Sequence, residues 1–251
     1  MLTFLRKIRK SLIESGSSRK PASPAGRYLL YAVGEILLVM LGILLALQVN
    51  NWNQDRVDHK KENLLLREIN AEFLINKEEL ESVLRLYRRV YDKCGVIIES
   101  FPIELNSYNS DSLASLLRAS STIRDADLSE GSVSTLINSS AIELISNPEL
   151  RSLLVQWQDL VADYQKAEAM AIKFTVENYF PYMDENIPLG YREGIKDSRF
   201  DPSFLTSFKF ENMIKRRRSY IGSMLSIVGG DEGRLMKTID RIIELSTQID
   251  E

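Results

Sequence analysis

The chain is poor in the residues that staple or equip small folds: it has one cysteine, Cys94, and one histidine, His59. A lone cysteine excludes an intrachain disulfide, so packing has to supply the stability. A lone histidine excludes metal sites built from several His and Cys ligands and leaves one candidate base for a nucleophile. If the intervening chain is helical, His59 and Cys94 lie about 52 Å apart at about 1.5 Å per residue, too far for a dyad. Asp55, His59 and Glu62 share a helix face, a pattern as common on plain charged surfaces as at weak metal sites. A glycine-rich phosphate loop and a dinucleotide fingerprint are both missing. No catalytic residue, metal or cofactor is therefore assigned, and the expectation is a protein that is not an enzyme.

Charge of one sign is scarce in two places. Residues 1–27 hold one acid, Glu14, against Arg6, Lys7, Arg9, Lys10, Arg19, Lys20 and Arg27, whereas the chain as a whole carries a net charge of −3. The acidic remainder argues against nucleic acid as a partner. Residues 28–49 hold a single ionisable side chain, Glu35, in an otherwise apolar run. At about 1.5 Å per residue that run reaches about 33 Å, enough to cross a hydrocarbon core of about 30 Å. It reads as a transmembrane helix. It exceeds the roughly 7–15 apolar residues of a signal peptide, and Leu45 to Asn50 lacks a small-x-small cleavage pattern, so an uncleaved anchor is favoured. Basic residues near a span stay in the cytoplasm, which puts the N-terminus inside and the rest of the chain outside.

Around the span, Tyr28 and Tyr31 fall at the inner interface and Trp52 at the outer one, where amphipathic rings anchor a helix. Gly34, Gly42 and Ala46 form a small-residue face suited to close approach by a second helix, a homo-oligomer or another membrane protein. Glu35 admits two readings: a proton- or ion-linked site shared with a partner, or a shallow carboxylate that snorkels to the headgroups or pairs with Arg27. The second is favoured because the position is shallow. The leader, with Leu2, Phe4, Leu5, Ile8 and Leu12 between its cations, is either an interfacial helix or a disordered basic segment. At this length it is too short to fold as an effector domain.

Neither Pro nor Gly interrupts the chain between Trp52 and Gly95, so the membrane helix is expected to continue as a stalk. Leu66, Phe73, Leu80, Tyr87 and Cys94 repeat at seven, with Ile69, Val83, Val90 and Ile97 between them, and Asn76 breaks the second row. Leu84 and Tyr91 widen the stripe into that of a bundle helix, which Phe101-Pro102 should end. Residues 111–120 and 132–146 read as short helices flanking a polar loop. Asn147-Pro148-Glu149 starts a helix whose inward residues are Leu150, Leu153, Trp157, Leu160, Tyr164, Ala167, Ala171 and Phe174. It should pack antiparallel to the stalk and stop at Pro181, before a long loop over 182–202 suited to partner contact. A third helix points Phe208, Met213, Ile214, Ile221, Met224 and Leu225 inward and leaves Lys215-Arg216-Arg217-Arg218 as a solvated face. Gly229-Gly230 breaks it, and a last helix carries Leu235, Ile239, Ile242, Ile243 and Ile249.

The block Gly34-Glu35-Ile-Leu-Leu-Val-Met-Leu-Gly42-Ile-Leu-Leu-Ala-Leu-Gln48-Val-Asn50-Asn51-Trp52-Asn53 resembles the anchor of a family of single-span proteins from environmental Gram-negative bacteria known only as a domain of unknown function. Residues 136–151 resemble its second block. The resemblance implies a bacterial inner-membrane anchor and a helical periplasmic domain, and no activity.

The expected organisation is all-α: a basic cytoplasmic leader over 1–27, a transmembrane helix over 28–49, and one extracytoplasmic antiparallel bundle over 50–251. Its long helices span about 51–99, 148–180, 208–228 and 232–249. The expected role is a membrane-anchored scaffold or protein-interaction module. Two alternatives stand beside it: an accessory subunit of an ion-driven or transport complex using Glu35, and a ligand-sensing bundle relaying to a membrane partner. No particular small-molecule ligand is indicated.

Overall fold

The structure, a computed structural model, describes residues 24–104, 110–190, 197–198, 200–229 and 233–247. Residues 1–23, Ile249, the side chain of Tyr31 and the middle of the expected 182–202 loop lie outside the described residues. Among those described, every regular element is helical. The α-helices are α1 (Pro24–Glu99), α2 (Ser110–Ser120), α3 (Gly131–Asn138), α4 (Pro148–Phe174), α5 (Phe180–Asn186), α6 (Phe208–Gly229) and α7 (Arg234–Thr247).

The chain divides into two compact units, Met1–His59 and Lys60–Glu251. In the first, residues 32–57 are exposed side chain after side chain, Leu, Ile, Val and Met included. This stretch makes α1 the one helix among the described residues that is long and apolar enough to cross a membrane, with a mean hydropathy of 2.3 in its richest window.

The second unit is built on one hydrophobic core. The heptad residues Leu66, Ile69, Phe73, Leu80, Val83, Tyr87, Val90, Cys94 and Ile97 are all buried, and α1 stops at Glu99, ahead of Pro102. Helices α4, α6 and α7 pack on one another, and Phe73 of α1 meets Trp157 of α4 at 4.8 Å between ring centroids.

Residue pairs give the directions of the helices. Asn70 reaches Ser246 and Thr247 while Lys77 reaches Asp240, so α7 runs antiparallel to α1. Tyr91 lies against Gly222 and Gly95 against Arg218, so α6 does the same. Helix α4 departs from expectation. Glu62 accepts from the Ser146 N–H just ahead of it, and Phe73 packs on Trp157 further along, so the numbers rise together and α4 runs parallel to α1. The cause lies between α2 and α4. Tyr87 bonds to Arg124, Asn76 to Ser129, Glu72 to Ser132 and Glu62 to Ser146, so the connection returns along the length of α1 before α4 begins. A parallel helix pair requires such a return, as parallel strands require a crossover.

Helix α4 starts as its sequence dictates. The Asn147 side chain accepts from the N–H groups of Glu149 and Leu150 at 2.9 and 3.1 Å, Pro148 takes the first turn, and Glu149 faces the positive helix end. Its buried stripe is Leu150, Leu154, Trp157, Val161, Tyr164, Glu168, Ala171 and Phe174, so Leu154, Val161 and Glu168 stand where Leu153, Leu160 and Ala167 were expected. Pro181 does not stop the chain. A π-turn over Thr175–Tyr179 widens the helix, with the Phe180 N–H bonded to the Thr175 carbonyl, and α5 then carries Pro181 in its first turn. The wider turn gives the ring room and avoids the bond that proline cannot donate. Tyr182, Met183 and Ile187, expected in a loop, are buried.

Candidate functional site

In the first unit, the residues singled out from sequence form an open surface. Gly34, Glu35, Gly42 and Ala46 are exposed, and a methyl group placed on either glycine meets nothing within 4 Å. Tyr28 and Trp52 are exposed as well. These positions lie on one helix, α1.

The second unit removes Cys94 from consideration as a nucleophile. It is fully buried, and burial pushes its thiol up to about 11. Among the described residues no group of three His, Cys, Asp or Glu side chains is placed to hold a metal ion. Two surface grooves of about 400 Å³ are present. One is lined by Ile142, Arg151, Ser152, Val155 and Gln156, the other by residues of α1, the end of α6 and the start of α7, including Arg85, Arg88 and Lys237.

The polar chemistry lies instead in a belt around residues 120–132, which takes in the polar loop expected over 121–131. Asn76, fully buried on α1, donates to the Ser129 carbonyl at 2.8 Å and accepts from its N–H at 2.7 Å. Four residues earlier, Glu72 accepts from Ser132 N–H at 2.8 Å in the first turn of α3, where a carboxylate complements the positive helix end. The Tyr87 hydroxyl donates to the Arg124 carbonyl at 2.6 Å, and one Arg124 guanidinium nitrogen, Nη2, donates to both Glu79 oxygens at 2.9 and 2.7 Å while Nη1 donates to the Ser82 hydroxyl at 3.0 Å. Positions 72, 76, 79 and 87 are spaced along one side of α1, so a single helix face grips the whole return segment.

Arg217 closes the belt from α6 and corrects the reading of residues 215–218 as a solvated face. Only 1% of it is exposed. Its guanidinium donates to the Ser120 carbonyl at the end of α2, to the Thr122 carbonyl at 2.7 Å and to the Thr175 hydroxyl. Burial lowers its proton affinity, and the nearby Tyr179, Cys94 and Tyr87 act in the opposite direction. The Tyr179 ring lies 5.2 Å beneath it, and the Tyr179 hydroxyl meets that of Ser120 at 2.9 Å. Arg218 stacks on Tyr91 at 4.0 Å, while Lys215 pairs with Glu211 and Arg216 is exposed. A helix C-terminus leaves carbonyls without intrahelical donors, and a buried guanidinium satisfies several at once. Nothing in a Lys-Arg-Arg-Arg run distinguishes its third member. Only the helical phase set by Phe210, Ile214 and Ile221 turns that position inward.

Glu168 is a further buried ionisable side chain, beside Arg217 and Glu62. It accepts the Tyr164 hydroxyl at 2.5 Å and the Ala126 N–H at 3.0 Å, and burial raises its pKa above the usual glutamate value. Tyr164 is raised in turn, first by burial and then by its bond to Glu168. These groups form hydrogen-bonded supports in a packed interior, with no nucleophile set beside a base. Comparison with protein-family models, curated proteins and solved structures finds no match to this chain.

Proposed function

We propose that the protein is a single-span membrane protein whose helical bundle, outside the cytoplasm, serves as a scaffold or protein-interaction module without enzymatic activity. The observation that carries this reading is the apolar run of α1, none of whose richest window is covered by the rest of the chain. A surface of that length and composition is stable in water only if something apolar covers it, and a bilayer matches its dimensions. Charge asymmetry across the run favours the N-terminus inside. The resemblance of the anchor block is in keeping with an inner-membrane location and a periplasmic domain. The interior of the second unit supports an architectural role, since Asn76, Glu168 and Arg217 spend their buried polar groups on backbone and on neighbouring hydroxyls.

The experiment is a pair of reporters fused after Glu251, one active only outside the cytoplasm and one only inside. Activity of the first alone is expected. Activity of the second alone, or a soluble mature form beginning beyond Val49, overturns the reading. Purification in mild detergent with partners identified by mass spectrometry then separates a homo-oligomer from an assembly with another membrane protein.

A further inference from the structure

One of the two surface grooves gathers charge of mainly one sign. Between α1 and the junction of α6 with α7, Arg85, Arg88 and Lys237 line a space of about 400 Å³ together with a single carboxylate, Glu81. The other groove has one cation, Arg151. Three cations against one acid run counter to a chain whose net charge is −3. Arg85 and Arg88 are exposed and three positions apart, so they rise as neighbours from one side of α1. Glu81 reaches Arg85 at 3.5 Å, a contact with one nitrogen of a fork that carries five N–H donors. Arg88 takes part in no ion pair among the described residues. The floor between these charges is apolar: Leu84 and Val228 are buried, and Met236 packs partly buried against the core.

These two features specify the chemistry of an occupant. A guanidinium fork matches carboxylate and phosphate oxygens, whereas a neutral guest would cover the charges without pairing them. The apolar floor favours a hydrocarbon or aromatic body beside the oxyanion. The size suits a small ligand, since pockets for such molecules hold about 300–1,000 Å³. We infer that the groove binds a small organic oxyanion with an apolar body, its head held by Arg85 and Arg88 and its body laid on Leu84, Val228 and Met236. Every residue of the site belongs to the second unit, so the inference does not depend on the membrane reading of the first.

The test is isothermal titration calorimetry of the full chain in a neutral detergent, with benzoate and phenyl phosphate as probes. Benzyl alcohol keeps the ring without the charge, and inorganic phosphate keeps the charge without the ring. At least one of the two ring-bearing anions is expected to bind with a Kd below about 1 mM and about ten-fold more tightly than either control. Which of them binds better tells a carboxylate head from a phosphate. Arg88→Gln and Arg85→Gln should each weaken binding about ten-fold, because a hydrogen bond to a charged group is lost. Arg151→Gln, in the other groove, should leave it unchanged. No binding by either anion, equal binding by the alcohol, or indifference to Arg85→Gln and Arg88→Gln overturns the inference. So does a polyglutamate peptide that binds where the small anions do not, which would make the groove a protein-docking surface. Asp231 and Glu232 precede α7 in sequence and lie outside the described residues. Binding that emerges only when both are changed, as Asp231→Asn with Glu232→Gln, would mean that the chain fills the groove itself and overturns the inference as well.

Discussion

Asn76 holds both backbone groups of Ser129 with one side-chain amide, at 2.8 and 2.7 Å, from a position where the heptad pattern calls for an apolar residue. The amide makes a two-point bond to backbone 53 residues away, and this fixes where the return segment lies along α1. Asn76→Ala is expected to cost about 1–3 kcal/mol, since a buried pairing is lost and a small cavity is left. Asn76→Asp keeps the acceptor but loses the donor and sets a buried carboxylate against the Ser129 carbonyl, so at neutral pH it should cost at least as much as Ala. Urea unfolding followed by emission of the buried Trp157 measures both; a smaller loss for Asp than for Ala would refute the two-point geometry.

Arg217 and its neighbours in sequence should behave in opposite ways. Arg217→Met is expected to cost about 2–4 kcal/mol, because the Ser120 and Thr122 carbonyls lose their charged donor inside the protein. Arg217→Lys should recover little, since a single ammonium cannot span acceptors that the planar fork reaches together. Arg216→Ala, at an exposed position, should stay within about 0.5 kcal/mol of the parent.

Two phenylalanines two residues apart test the phase of α6. Phe208 was expected inside but is 83% exposed, whereas Phe210 is fully buried against Phe101 and Phe204. The Ser207 hydroxyl accepts from Phe210 N–H and starts the helix there, which leaves Phe208 on the outer side of the first turn. Phe210→Ala should cost about 3–5 kcal/mol and Phe208→Ser about 0.5 or less. The reverse order in thermal unfolding would place the helix one face out of register.

Glu72 meets the first turn of α3 with one oxygen, and its second oxygen is buried with no partner among the described residues. Glu72→Gln removes the charge that faces the helix end and should cost about 0.3–1 kcal/mol, less as salt is added. A loss that does not respond to salt would assign the effect to hydrogen-bond geometry in place of charge.

For Glu35 the scaffold reading expects tolerance. Glu35→Gln should leave membrane insertion, oligomeric state on gel filtration in detergent, and co-purifying partners as they are in the parent. Loss of a partner or of a proton-coupled activity with this isostere would promote the reading in which the carboxylate carries a proton for a larger complex.

Periodicity revealed the helices and the core face of α1 because a 3.6-residue repeat depends only on which residues are apolar. The heptad residues from Leu66 to Ile97 are buried as that repeat requires. Direction and phase were harder to read. Nothing local to residues 121–131 shows that they lie along α1, since their fastenings are side chains more than 30 residues away, such as Tyr87 and Asn76. Arg217 was placed outside because charge usually signals water, and no apolar periodicity marks Glu168 as an inward position. Their burial depends on partners, the Ala126 N–H and the Ser120 carbonyl, that only the assembled fold supplies. Pro181 misled for a related reason: the π-turn before it is a tertiary accommodation with no marker of its own in the sequence.

Asn70 on α1 bonds to Thr247 on α7 across 177 positions of sequence. During synthesis, the apolar face of α1 therefore emerges long before the helix that caps it, and the interior stays open until residue 247 is available. A ribosome stalled near residue 230 should expose a sticky, half-built product to chaperones and proteases, which makes translation pausing in that interval a determinant of yield.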